Sequence, residues 1–331
     1  MLHAAITDYT FPDLSIEREV LEPQGVALQA GQCRGPAETA QLVRDADVVL
    51  TQFAPVDRSV IAAMQRARVI VRYGIGVDNV DLDAAREAGI PVCNVPDYCI
   101  DEVADHALAL ILAATRQVVA NANHVGAGHW GLATPLSAMR CLKNQTVGIV
   151  GLGRIGREVA SRLRPFKCAL LGYDPVLAPA DAAACGVTLV GWDELLAGSD
   201  IVTLHCPATA ATRGLINAEA IDRLRRGAVL VNVARGAIVD TAALLSGLER
   251  GAVGFAALDV LEQEPMPPDH PLGRCPQAIV HSHIASASPE AVANLRRQAA
   301  TIAGLAVQRQ PLPNIVNGLG PSDYQRRLAD A

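Results

Sequence analysis

The chain has 331 residues, 50% of them hydrophobic and 19% charged, which is material for two ordinary folded domains and excludes a mainly disordered polypeptide. A formal net charge of -6 gives no basic footprint for nucleic acid. The longest clean apolar run, Ala107 to Ala114, is far short of the roughly 20 residues a membrane span needs, so it reads as buried helix.

In chain order, the first twenty residues carry Asp8, Asp13, Glu17, Arg18 and Glu19 with no apolar core between them, which does not make a signal peptide. Ala4–Thr7, Val48–Thr51 and Val69–Arg72 read as strands and Pro91–Val95 as an extended segment. Ser15–Leu21 with Ser15 as N-cap, Ser59–Met64, and Leu82–Ala88 closed by Gly89 read as helices. Continuous apolar strands separated by helices mean a parallel sheet covered on both faces. Asp101 to about Gln117 reads as one long helix, apolar nearly all round and therefore buried between domains or subunits. Asn121–Gln145 reads as an irregular arm holding Trp130, Leu132, Leu136 and Met139.

The alternation then restarts. Strands are expected at Thr146–Val150, Ala169–Tyr173, Ile201–Leu204, Ala228–Val233, Gly254–Leu258 and Ala278–His281. Helices are expected at Ile155–Arg164, Trp192–Ala197, Asn217–Leu224, Thr241–Arg250 and Pro289–Arg309. Six parallel strands with crossover helices make a doubly wound domain. The boundary falls near Val95–Asp101, and the last long helix can cross back to complete the first domain. The tail after Pro321 reads as frayed. The eight cysteines are scattered singly, which points to reduced thiols in a cytoplasmic protein and against a zinc site.

Gly151-Leu152-Gly153-Arg154-Ile155-Gly156 is G-x-G-x-x-G between an expected strand and an expected helix. The first glycine permits a tight turn, the second lets backbone N–H groups approach a pyrophosphate, and the third lets helix and strand pack closely. The helix N-terminus adds partial positive charge for the phosphates. Asp174 lies 18 residues after Gly156, near the spacing of an acid that binds the adenosine ribose and repels a 2′-phosphate, so NAD is expected over NADP.

Three residues stand at the carboxyl ends of later strands, where open α/β sheets bind ligands. Arg235 offers a planar fork for a carboxylate and a neighbouring carbonyl. Glu264, with Glu262 as a local rival, offers a carboxylate. His283 can exchange a proton with an alcohol oxygen near neutral pH, and a carboxylate beside it would fix its tautomer. Singly, each of these has an ordinary reading as a surface or packed side chain.

The ordered segments GLGRIG, YDP, NVARG, DVLEQEP and HIASAS, with RYGIGVDNVD and PVCNVP earlier, resemble the NAD-dependent D-isomer-specific 2-hydroxyacid dehydrogenases. The branch is similar to phosphoglycerate dehydrogenase-like enzymes and the C-terminal-binding-protein corepressors. The resemblance implies two doubly wound α/β domains with a cleft between them: a flavodoxin-like substrate domain from residues 1–98 plus 288–331, and a Rossmann NAD domain, 99–287, with a dimerisation arm about 101–145. It implies that Arg235 binds the substrate, His283 is the acid/base and Glu264 its partner, with Ile75 and Gly76 on the substrate carboxylate. Arg72 is a further candidate there. Around NAD it implies Gly151, Gly153, Arg154, Ile155, Gly156 and Asp174, with Cys206, Pro207 and Thr212 toward the adenosine, and Val233, Ala234 and Asp259 near the nicotinamide.

The family usually reads Thr-Pro-His at the acid/base; here the residues are His281-Ser282-His283. His283 is kept as the candidate because Ile284-Ala285 continues the pattern, and because strand alternation would put both histidines on one side with His281 deeper. His205 and His106 have structural readings. The function expected is hydride transfer between NAD(H) and a small 2-oxo or 2-hydroxy acid, in a homodimer without nucleic-acid, membrane or metal partners. The alternative is an NAD(H)-sensing, corepressor-like interaction protein. The substrate side chain is not legible.

Overall fold

A computed structural model describes residues 2–320, and the tail after Pro321 lies outside them. The chain divides into two units, one from residues up to 98 together with 288 onward, the other from 99–287.

In the first unit, short β-branched runs become β1 (Leu2–Ile6), β2 (Val26–Ala30), β3 (Val48–Thr51), β4 (Ile70–Arg72) and β5 (Val92–Cys93). They form one parallel sheet in the order β2-β1-β3-β4-β5, the flavodoxin-like winding. The two-residue period of β3 divides its apolar side chains between two covered faces. Val48 and Leu50 join Leu21, Tyr73, Ala299 and Ala303 on one side. Val49 joins Val60, Ile61, Ile70 and Ala85 on the other.

Helix Pro289–Val307, from the far end of the chain, packs against helix Ser15–Leu21 and against β3 and β4. Ser288 starts it, its hydroxyl accepting from the Ala291 amide at 2.9 Å. Arg296 locks the two ends of the chain together. Its guanidinium reaches the fully buried Glu17 carboxylate at 2.7 Å and the Asp13 carbonyl at 2.8 Å, and lies over the Phe11 ring at 5.0 Å.

Two expectations are corrected here. Ser15 is the first helical residue and not the N-cap; Leu14 takes that place, and the Ser15 hydroxyl donates to Asp13 at 2.6 Å. Strand β2 and helix Pro36–Val43 were not foreseen.

The second unit holds β6 (Thr146–Val150), β7 (Ala169–Tyr173), β8 (Thr188–Leu189), β9 (Ile201–Leu204), β10 (Ala228–Asn232), β11 (Val253–Leu258) and β12 (Ala278–Val280). All pairings are parallel, in the order β12-β11-β10-β9-β6-β7-β8. The sheet therefore has seven strands and not the expected six; the two-residue edge strand β8, reached through helix Pro179–Ala184, is the addition. The winding reverses between β6 and β9, the place where such sheets bind ligands.

The long helix runs Ile100–Thr115 and buries Val103, Ala104, Ala107, Leu110, Ile111 and Ala114 on helix Arg154–Leu163 and strands β10 and β11 of its own unit. It stops because Gln117 turns left-handed (φ 52°) and its side-chain amide donates to the Ala114 carbonyl at 2.7 Å. A second helix, Val118–Gly126, then occupies part of the segment expected to be irregular. Among the described residues, no single helix is long and apolar enough to cross a membrane, and no pair of cysteines forms a disulfide.

Candidate active site

Sheet register builds the site. Tyr173, Val150, Leu204, Asn232, Leu258 and Val280 lie side by side across β7, β6, β9, β10, β11 and β12. The next residue of each strand is therefore Asp174, Gly151, His205, Val233, Asp259 and His281, in one row along the carboxyl edge.

The glycine turn sits at the reversal point. A Cβ on Gly156 would stand 2.0 Å from the Gly151 carbonyl oxygen, and one on Gly151 (φ 88°) 2.7 Å from the Cys206 amide nitrogen, so neither position admits a side chain. Beyond Gly153 nothing lies within 4 Å of where a Cβ would be, which leaves open space at the N-terminus of the ten-residue helix Arg154–Leu163. That combination fits a pyrophosphate held by backbone N–H groups. Asp174 supports the turn from the neighbouring strand, accepting from the Leu152 amide at 2.9 Å through one oxygen and from Val176 and Leu177 through the other. On the far side, Thr212 shapes its own loop by donating to the Pro207 carbonyl at 2.5 Å. Burial pushes the Cys206 thiol up to about 11, so it is no nucleophile at neutral pH. Loss of hydration pushes His205 down to about 3, and its ring pairs with the Thr203 hydroxyl at 2.9 Å, a structural histidine.

Arg235 leaves β10 in a turn that Asn232 holds. The Asn232 side chain, fully buried, accepts from the Ala234 amide at 3.0 Å and donates to the Arg235 carbonyl at 2.9 Å. Arg235 itself donates to the Ala234 carbonyl at 2.7 Å. The next residue must be glycine for lack of space: a Cβ on Gly236 would be 1.9 Å from the Leu261 carbonyl carbon. This close approach brings the Arg235 turn against the loop that carries Glu264.

Glu264 and His283 are joined, Oε2 to Nδ1 at 2.8 Å, while the other Glu264 oxygen accepts from the Leu261 amide at 2.9 Å. Burial works against ionisation of Glu264. The His283 hydrogen bond, the Leu261 amide and the charges of His283 and Arg235 outweigh it and hold the carboxyl below the ordinary carboxylate range. A carboxylate accepts only, so His283 keeps a proton on Nδ1, which leaves Nε2 as the nitrogen available for proton exchange. The rival Glu262 is engaged elsewhere, accepting from the Thr241 amide at 2.8 Å at the start of helix Thr241–Glu249.

The alternation argument for the two histidines does not hold. The strand ends at Val280, and His283 is left-handed (φ 58°). Its loop is wrapped on Asp259: the Asp259 carbonyl accepts from the His283 amide at 2.8 Å, and its two carboxylate oxygens accept from the Ile284 and Ala285 amides at 2.9 Å each. The anchoring by Asp259 was missed because its carboxylate lies 25 and 26 residues from the amides it holds, which leaves no local pattern. Asn232 was missed although its partners are only two and three residues away, and an asparagine at a strand end was the available signal. Arg72 ends β4, and Ile75 and Gly76 lie in the loop that follows it in the first unit, where the Ile75 carbonyl accepts from the Asn94 side chain at 2.6 Å. They are not among the residues gathered on the seven-stranded sheet.

Residues 108–285 match the family model described as D-isomer specific 2-hydroxyacid dehydrogenase, NAD binding domain. The chain is 38% identical over 279 residues to a glyoxylate reductase of Korarchaeum cryptofilum, covering 83% of this chain and 84% of that protein. It is 39% identical over 280 residues to a D-3-phosphoglycerate dehydrogenase of Archaeoglobus fulgidus, covering 84% of this chain and 53% of that protein. It thus spans about half the length of the curated phosphoglycerate dehydrogenases it matches. A D-lactate dehydrogenase of Aquifex aeolicus, solved with NAD and lactic acid, superposes with a TM-score of 0.83 at 26% identity, covering 92% of this chain and 96% of that one.

Proposed function

Because the chain belongs to the D-isomer specific 2-hydroxyacid dehydrogenase family, we propose that it is an NAD(H)-dependent enzyme interconverting a small 2-oxo acid and its D-2-hydroxy acid. The observation that carries this reading is the Glu264–His283 pair, set on the same strand-end edge as the glycine turn and Asp174. NAD(H) supplies or accepts the hydride when bound. The turn Gly151, Gly153 and Gly156 with Arg154 and Ile155 would hold its pyrophosphate, and Asp174 its ribose. Cys206, Pro207 and Thr212 would border the adenosine, and Val233, Ala234 and Asp259 the nicotinamide.

Arg235 would grip the substrate carboxylate and carry the negative charge that grows on the carbonyl oxygen during reduction. His283, protonated on both nitrogens, would donate its Nε2 proton to that oxygen. Glu264 holds the Nδ1 proton and fixes the ring's orientation. In the oxidative direction the same Nε2 lone pair would take the alcohol proton.

The test follows NADH absorbance with glyoxylate, hydroxypyruvate, phosphohydroxypyruvate, pyruvate, phenylpyruvate and oxaloacetate, with NADPH in parallel. One substrate is expected to turn over with NADH, and NADPH to be used poorly because Asp174 repels its phosphate. Tight NADH binding with no turnover on any of them would move the reading to an NAD(H)-sensing interaction protein.

A homodimer through the arm belongs to the same proposal. Trp130 is 93% exposed and Leu136 74%, with Leu132, Val118 and Val125 also open on the same segment. Exposed apolar residues concentrated this way favour an interface. Light scattering should give a dimer for the full chain and a shift toward monomer for Trp130→Glu; an unchanged mass would place the interface elsewhere.

A further inference from the structure

Next to the loop that carries His283 lie two more histidines that the proposed reaction leaves unused. His106, on helix Ile100–Thr115, and His281, just past β12, meet with Nε2 and Nδ1 2.9 Å apart, their rings nearly edge to face. The same His106 nitrogen is 3.6 Å from an oxygen of Asp259, which is 1% exposed. Asp259 is the residue on which the amides of His283, Ile284 and Ala285 converge. The helix, the strand end and the loop therefore meet at one cluster of polar atoms.

We propose that the His106–His281 pair is a positioning device that holds the His283 loop in its working conformation. It rests on the reading of His283 as the acid/base. Two observations call for such a device. His283 is left-handed, a conformation that persists only where its surroundings over-determine it. The residue before it is Ser282, which fixes no backbone angle as a proline would. The loop must therefore be set by what it touches, and its contacts lead to Asp259 and the flanking imidazoles.

The geometry also assigns the proton. A carboxylate oxygen 3.6 Å from His106 Nε2 favours an N–H there over a lone pair, so His106 donates and His281 Nδ1 accepts. His281 then keeps its own proton on Nε2. Burial outweighs the attraction of Asp259 and, together with the neighbouring His281, holds His106 below the ordinary histidine range, which fits a neutral His106 donating from Nε2. Partners that orient a functional histidine at one remove are worth roughly 10- to 100-fold in activity.

The test uses the full chain with His281→Phe, His106→Phe, the double variant and His281→Asn, whose side-chain oxygen can stand in for Nδ1. Histidine side-chain nitrogen NMR reads the tautomers, and NADH binding, kcat and KM are measured in parallel. In the native chain both histidines of the pair should be Nε2–H tautomers. In His281→Phe, His283 should change from one defined Nδ1–H tautomer to an averaged mixture, kcat should fall about 10- to 100-fold, and KM and NADH affinity should stay within about threefold. His106→Phe should do the same, the double variant should add little, and His281→Asn should restore both readouts. A His283 tautomer unchanged in both Phe variants overturns the proposal, whether or not any 2-oxo acid is turned over, so it can fail separately from the reading it rests on. Tight Zn2+ binding that is lost in His281→Phe would also overturn it. The ligand atoms of His106, Asp259 and His281 lie within 4.8 Å of one another, and the trio would then be a metal site instead of a proton-sharing pair.

Discussion

His283→Ala is expected to lower turnover of the 2-oxo acid by about 10³-fold, within the range that a general acid/base contributes, while NADH affinity stays within about twofold. The separation follows from the wiring. The imidazole is about one-third exposed and its Nδ1 is bonded to Glu264, so truncation removes a proton donor and leaves no buried hole. The glycine turn and Asp174 are built by other strands. Glu264→Gln makes a sharper test. An amide N–H facing Nδ1 would favour the lone pair on that nitrogen and move the proton to Nε2. Oxidation of the hydroxy acid, which needs the Nε2 lone pair, should then suffer more than reduction. Steady-state kinetics in both directions, with NADH titration by fluorescence, check this. Loss of NADH binding in His283→Ala would mean the residue is structural. The pH dependence has a definite sign. Glu264 is held below the ordinary carboxylate range, so the pair's contribution is full above that range and is lost only as pH falls through the lowered value. The acid limb of activity from Glu264 should therefore lie below pH 4.5, the ordinary glutamate value.

How much of this could be read in the sequence depended on how local the cause was. Strands β3, β6 and β9 are apolar runs buried on both faces, and their expected ends match the observed ones. Strand β2 shows a fading pattern because it is an edge strand, with one buried residue and two exposed ones in five. Helix Val118–Gly126 has no buried residue, so no apolar period marks it. Helix Pro36–Val43 buries only Thr39 and Val43. Elements that cover one side of an edge carry little signal. At the site, Gly151 and Gly156 were legible because only glycine tolerates those approaches. Arg235, Glu264 and His283 were legible as strand-end polar residues in a known order. The choice between Glu262 and Glu264 was not, since it turns on which loop each carboxylate meets. The His106–His281 contact joins residues 175 positions apart, and nothing near either one announces it.

Arg296→Met is expected to cost the largest share of stability, about 3–5 kcal/mol, the usual effect of removing one partner of a buried ion pair. Glu17 is fully buried; without the guanidinium its charge would keep only the Tyr73 hydroxyl at 3.3 Å among the contacts seen here. The loss should exceed the worth of the packing removed, because methionine still fills much of the space over Phe11. Asp13 adds a more exposed anchor: the Ser15 hydroxyl and amide and then Arg296 lower its pKa to about 2, so its contribution persists in mild acid and is lost only as pH falls toward that value. The consequence is topological as well as energetic. Arg296 carries the buried ion pair between helix Pro289–Val307 and helix Ser15–Leu21, beside an exposed Arg297–Glu19 pair and apolar packing, so the variant should loosen the first unit. Hydrogen exchange resolves this, with faster exchange expected in β1, β3 and helix Ser15–Leu21 and none in β6 or β9. Trp130 and Trp192 both lie in the second unit, and their fluorescence in urea serves as the internal control. Pairing the variant with Glu17→Leu should recover most of the loss, since two apolar side chains leave no stranded charge. A loss under about 1 kcal/mol for Arg296→Met would show the pair to be incidental, because such a value belongs to an exposed ion pair.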